Sequence, residues 1–482
     1  MSRTISTSVG ILFGLVVWGL LIMKNGMMGI LMIGMLPFII LAVAGFFRYP
    51  KIGLYGVLIF SFFVGFLNRL IPGVPFGLMV DAILVLTGIG IIFFFWQKAP
   101  TKYWKSPVVW GFVGWMAMII LQLANPIASS RVAWFYAMRG MALYPVLTIL
   151  LGMLVLRSPK DISRFLFIWM TLSFLGALYG VKQQLFGVFG FEQRWLDAGA
   201  AVQHVLFGKL RIFSFYSDAG QFGPAMAQAS LVAGLLFLSS HRRKIRWIML
   251  VVALAAFYGM LISGTRGALA VPFFGGILYL ILIKNFRILA LGIVVGFSAF
   301  AFLKYTTIAN SNYEINRLRT ALDPNNPSLL VRLNNQARLK VYLRDKPFGG
   351  GVGSAGSWGE RFAPGTFLAE FPTDSLYVAI RAETGVVGLN LFFLFIFGPA
   401  IYAFVRIYRM PESPRRPVLV ALLSGYVGIL GASYGNSVLT QMPTSFVCYF
   451  SLLAIFTSIQ RYDREEEIAQ RKIAVDVDDP ED

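Results

Sequence analysis

Apolar runs of close to 20 residues, broken by short polar connections, recur along almost the whole chain. A helix rises 1.5 Å per residue, so about 20 apolar residues cross a hydrocarbon core. The runs predict membrane-spanning helices at 8–23, 27–46, 52–67, 77–96, 108–124, 139–156, 165–186, 218–239, 247–263, 268–283, 288–303, 374–405, 418–436 and 443–459. Every second connection between them is basic. The basic set comprises Arg48 and Lys51; Lys98, Lys102 and Lys105; Arg157, Lys160 and Arg164; Arg242, Arg243, Lys244 and Arg246; Lys284 and Arg287; Arg406, Arg409, Arg415 and Arg416; and Arg461 and Arg464. The positive-inside rule assigns these connections to the cytoplasm. The alternation is consistent with 12–14 helices and both termini inside. The run at 8–23 lacks a small-residue cleavage site and reads as a retained first helix, not as a signal peptide.

Two outer connections depart from the short pattern. One is 187–217. The other is 304–373, long enough to be functional or disordered. Pro327 and Ser328 precede a segment with apolar residues at 329, 330, 333, 337, 341 and 343. That spacing predicts an amphipathic helix lying on the membrane surface. The chain therefore divides into helices over 1–303, a partly helical outer loop over 304–373, further helices over 374–460, and a disordered cytoplasmic tail over 461–482. The fold class is all-α, a polytopic transmembrane helical bundle.

Composition agrees. The chain is 57% hydrophobic and only 13% charged, against about 25% charged in soluble domains. Its formal charge of +20 is mostly topological, so it does not imply a nucleic-acid partner. With one cysteine, Cys448, and two histidines, neither an internal disulfide nor a Cys- or His-based metal site is expected. No cofactor is implied.

The candidate chemistry lies on the outer side. Arg266 sits in Ser-Gly-Thr-Arg-Gly-Ala at a break between two apolar stretches. An arginine costs about 2.5–3.5 kcal/mol at the bilayer centre on insertion scales and less near an interface. It is either kept to hold a partner, for which a lipid-linked phosphate suits a guanidinium, or it snorkels. Arg211, Asp218, Asp374, Arg381 and Glu383 complete the outward ionisable set. Asp374, Tyr377 and Arg381 fall on one helix face. Asp374 or Thr373 also suits an N-cap, Asp218 a cap or a pair, and Asp81 a structural role. Arg381 and Glu383 are expected to pair with each other or with a neighbouring helix. His204 reads as a solvated loop residue, though a possible base. The glycine run Phe348–Gly356 allows either close approach to a ligand or unusual turns.

The stretch Arg211–Gly223, the turn Leu261–Ala268, the Lys346–Gly353 segment of the long loop, Thr373–Val378 and Ala382–Leu389 follow one another in an order that resembles the O-antigen ligase and polymerase superfamily. The resemblance covers roughly 205–395. It implies an integral-membrane glycosyltransferase, metal-independent, acting on undecaprenyl-diphosphate-linked glycans at the periplasmic face of a bacterial inner membrane. By this resemblance Arg211 and Arg266 match the two diphosphate-binding arginines. Asp374 stands where ligases carry a catalytic histidine followed by Asn and a Tyr-Leu pair; here the residues are Asp-Ser-Leu-Tyr. A carboxylate accepts a hydroxyl proton but, with an ordinary pKa of about 4, is a weaker base than imidazole. The departure favours a polymerase extending an O-antigen, capsule or exopolysaccharide over a ligase transferring glycan to lipid A core. A flippase or exporter of lipid-linked oligosaccharide is the alternative of another class. The expected catalytic set is Asp374, Arg266 and Arg211, and the substrate-binding set Arg211, Arg266, Tyr377, Arg381 and Arg338. The implied partners are the lipid-linked glycan, a glycan or lipid acceptor, membrane lipids, and a chain-length regulator or envelope export proteins.

Overall fold

A computed structural model describes residues 41, 43–95, 105–206, 208–308, 315, 316, 319, 327–373 and 375–478. Of the expected helices, 8–23 and nearly all of 27–46 lie outside the described residues. The other twelve each have a counterpart. These are α1 (Pro50–Leu70), α2 (Gly77–Phe95), α3 (Pro107–Ala124), α4 (Arg131–Val155), α5 (Pro159–Phe186), α6 (Ala219–Ser239), α7 (Arg243–Ile262), α8 (Arg266–Leu282) and α9 (Phe286–Tyr305). After the long loop, which holds α10 (Pro327–Tyr342) and α11 (Gly356–Phe362), come α12 (Leu376–Arg409), α13 (Arg416–Ala432) and α14 (Thr444–Asp478). Among the described residues nine helices are long and apolar enough to span a membrane, and the chain is an all-α polytopic membrane protein. Helices satisfy their own backbone groups, which hydrocarbon cannot do for them. One small hairpin, Val205–Leu206 with Lys209–Leu210, is the exception among the described residues.

Prolines at the first turn start α1, α3 and α5, where the missing N–H costs nothing. A capping box between Ser158 and Asp161 closes the start of α5. Helix packing relies on close backbone approach rather than on apolar area, which lipid supplies equally well. Between α8 and α13 the helices come so near that a Cβ on Gly275 would lie 2.4 Å from the Ser424 carbonyl oxygen, and one on Gly428 2.7 Å from that of Val271.

The two ends of the bundle differ. At the basic end Lys51 pairs with Asp161 at 2.8 Å, Arg416 donates to the Leu282 carbonyl at 2.6 Å, and Arg406 pairs with Asp463. The opposite end gathers the tops of α6, α8, α12 and α13 with the loops 187–218 and 327–373. The tail expected to be disordered from 461 instead continues α14 as helix to Asp478. Ion pairs from Asp463 to Arg406 and from Glu465 to Arg415, the latter at 2.9 Å, support its first turns.

The expected surface helix is α10, but its residues divide differently. Leu330, Leu333 and Val341 are 51%, 50% and 76% exposed, whereas Leu343, assigned above to the same stripe, is buried with Leu339 on the opposite face. Leu339 and Leu343 pack with Ala355, Leu368, Phe371 and Ala382 in a small separate core. The loop is thereby seated on α12. A stacked trio of Tyr136, Trp358 and Phe362, with centroids 4.9 and 5.3 Å from Tyr136, ties α11 to α4.

Candidate functional site

The turn between α7 and α8 organises the loop end of the bundle. Gly264 takes φ +57°, and the Ser263 hydroxyl accepts the Thr265 N–H at 3.1 Å. Thr265 then donates to the Ala219 carbonyl at 2.7 Å, fixing the turn to the first residue of α6. Gly223 must be glycine-sized there, because a Cβ would come 2.5 Å from Ser263 Oγ. Arg266 follows, half-buried, at the start of a 3-10 turn.

Arg211 reaches the same turn from the other side: its Nη2 donates to Thr265 Oγ1 at 3.0 Å. The structure thus brings Arg211 and Arg266 to adjacent residues of one turn. Asp218 caps α6 through the Gln221 N–H at 3.0 Å. The segment after α13 closes the group. A Cβ on Gly435 would lie 3.6 Å from Gly267 Cα, Asn436 donates to the Gly220 carbonyl at 3.1 Å, and the Leu376 N–H reaches the Ser433 carbonyl at 3.0 Å.

Asp374 lies outside the described residues. Its neighbour Ser375 occupies the N-cap of α12, so the helix starts slightly later than expected. Tyr377, expected at the substrate, donates its hydroxyl to the Leu430 carbonyl at 2.6 Å and stacks on Phe393. Arg381 is half-buried on α12. Glu383 does not pair with it. Its carboxylate is buried and accepts the Ala355 N–H at 3.3 Å, while its carbonyl accepts that of Gly351 at 2.9 Å. The glycine run is therefore built into the scaffold. Gly385 breaks α12 at φ +70°, where a Cβ would overlap the Pro347 carbonyl. Arg338 is exposed on α10, whereas Arg332 faces the bundle and donates to the Gly435 carbonyl at 3.3 Å.

Residues that sequence reasoning passed over support the Arg211 loop. Arg69, at the end of α1, is only 3% exposed. It donates to the carbonyls of Ser214, at 2.8 Å, and Tyr216. It lies 3.9 Å from the fully buried Glu192, between the rings of Trp195 and Phe213. Gln183 donates to Glu192 at 2.9 Å and accepts the Ser214 N–H at 2.8 Å. Ser214 itself holds φ +54°, uncommon for a residue with a Cβ. His204 belongs to this support and is not solvated. It is buried against Trp195 and Phe213, its Nδ1 is 2.9 Å from the Ala200 carbonyl, and desolvation lowers its pKa. The signal available in the sequence was the lone arginine near the end of an otherwise apolar helix.

Below the turn, an apolar groove of about 400 Å³ runs between α6, α7 and α8, lined by Ala227, Leu231, Gly234, Phe257, Met260 and Pro272 among others.

Over 307 residues, 60% of this chain and 73% of the relative, the sequence is 23% identical to an O-antigen polymerase of Salmonella muenchen. This similarity bears out the resemblance to the O-antigen ligase and polymerase superfamily. No family model matches the chain.

Proposed function

We propose that this protein polymerises undecaprenyl-diphosphate-linked oligosaccharide units at the periplasmic face of the inner membrane. The observation that carries the reading is the meeting of Arg211 and Arg266 on the Thr265 turn, at the end of the bundle opposite the basic connections. In this reading both guanidiniums grip the diphosphate and stabilise the charge that builds on it as it leaves. The acceptor hydroxyl attacks the anomeric carbon, the bond from that carbon to the phosphate oxygen breaks, and the Asp374 carboxylate takes the hydroxyl proton. A polar site confined to one end suits catalysis better than alternating access, which needs a cavity open in turn to both faces.

The test incubates purified protein with an undecaprenyl-diphosphate repeat unit and follows the glycan ladder. Wild type should extend it, and Asp374→Ala should abolish extension without lowering the thermal midpoint. An unchanged ladder in that variant clears the carboxylate of an essential role. Transfer to lipid A core, with no ladder, would select the ligase reading instead.

The groove beneath Arg266 suits the prenyl chain. Gly234 has no atom within 4 Å of where a Cβ would stand, so leucine fits there and fills groove space. Gly234→Leu should raise KM roughly tenfold for the full-length prenyl substrate, the equivalent of losing about two buried methylenes. It should leave KM for a short-chain analogue unchanged; equal effects on both substrates would remove the groove from the account.

A further inference from the structure

We infer that Arg332 is a third phosphate-binding guanidinium of the same site, and that it makes the site prefer a diphosphate over a monophosphate. The inference rests on the reading of Arg211 and Arg266 given above. Arg332 lies in the long loop, more than 60 residues beyond Arg266 in sequence. Helix α10 turns it inward, on the face that also buries Leu339 and Leu343. Its Nη2 donates to the Gly435 carbonyl at 3.3 Å, and Gly435 lies against Gly267, the residue after Arg266. Arg211 reaches Thr265, the residue before it. Three arginines from three separate segments thus converge on Thr265–Gly267 or on the backbone touching it.

A guanidinium offers five donors in a planar fork, so bracing a carbonyl and contacting a phosphate oxygen are compatible roles. A diphosphate presents two phosphoryl groups, and the arginines come from separate segments, α10 and the α7–α8 turn. Lys340, about two turns further along α10, is exposed and serves as the internal control.

The experiment uses the full chain in nanodiscs, with farnesyl diphosphate and farnesyl monophosphate as probes. Arg332→Ala should weaken diphosphate binding about tenfold, the loss of one charge-assisted hydrogen bond, and leave monophosphate binding nearly unchanged. Arg332→Lys should recover part of the loss, and Lys340→Ala should match wild type. If Arg332→Ala proves unstable, Arg332→Gln takes its place with the same expectation. Equal weakening of both probes together with a lowered thermal midpoint would make Arg332 a structural strap and overturn the inference. Arg266→Ala separates the two levels. Loss of binding there, but not in the Arg332 variants, removes only the third arginine; full binding in Arg266→Ala removes the underlying site.

Discussion

Arg266→Ala is expected to lower the polymerisation rate by about 10²–10³-fold, the usual effect of removing one preorganised donor aimed at developing charge. The residue is half-buried beside a turn locked from three directions: Thr265 onto Ala219, Arg211 onto Thr265, and Gly267 against Gly435. A side chain held on so fixed a turn needs little reorganisation when the leaving diphosphate gains charge. Arg266→Lys keeps the charge but loses the planar fork and should recover only a minor part of the rate. The check is a single-turnover measurement beside a thermal melt. A large fall in rate with an unchanged midpoint is the expected pair of results. A parallel fall in both would make the arginine structural.

The second large effect falls on stability. Arg69→Ala should destabilise the protein by about 3–5 kcal/mol, the usual penalty for leaving a buried charge without its partner. The residue left behind is Glu192, fully buried, and the Ser214 and Tyr216 carbonyls lose their donor at the same time. Ser214 holds its left-handed conformation within this network, and Arg211 lies three residues upstream. The variant should therefore lose activity through misplacement of the Arg211 loop. Adding Glu192→Gln to Arg69→Met should restore part of the lost stability, since the orphaned charge is then gone. A melt in which the double variant is no better than Arg69→Ala would contradict the network as described.

The helices were legible because hydrocarbon imposes a length and forbids unpaired backbone, so α1–α9 and α12–α14 each follow from an apolar run. The position of the long loop followed from the alternation of basic connections. Partner choice was not legible. Glu383 stands two residues from Arg381, yet its carboxylate goes to the glycine loop, because that loop folds back onto the break at Gly385. Periodicity found the stripe of α10, but an apolar face in such a loop has two destinations, the bilayer or the protein, and spacing does not choose between them. The face bearing Arg332 became visible only when Leu339 and Leu343 were seen packed beneath it. Arg69 was hidden for a related reason: near a helix end, a buried arginine and a snorkelling one look alike in sequence.

The most direct measurement counts undecaprenyl diphosphate released against glycosidic bonds formed, using purified protein in sealed vesicles. The account predicts one released carrier for each new bond, and neither in Asp374→Ala. Movement of intact lipid-linked oligosaccharide across the bilayer, with no carrier freed and no bond made, would contradict it.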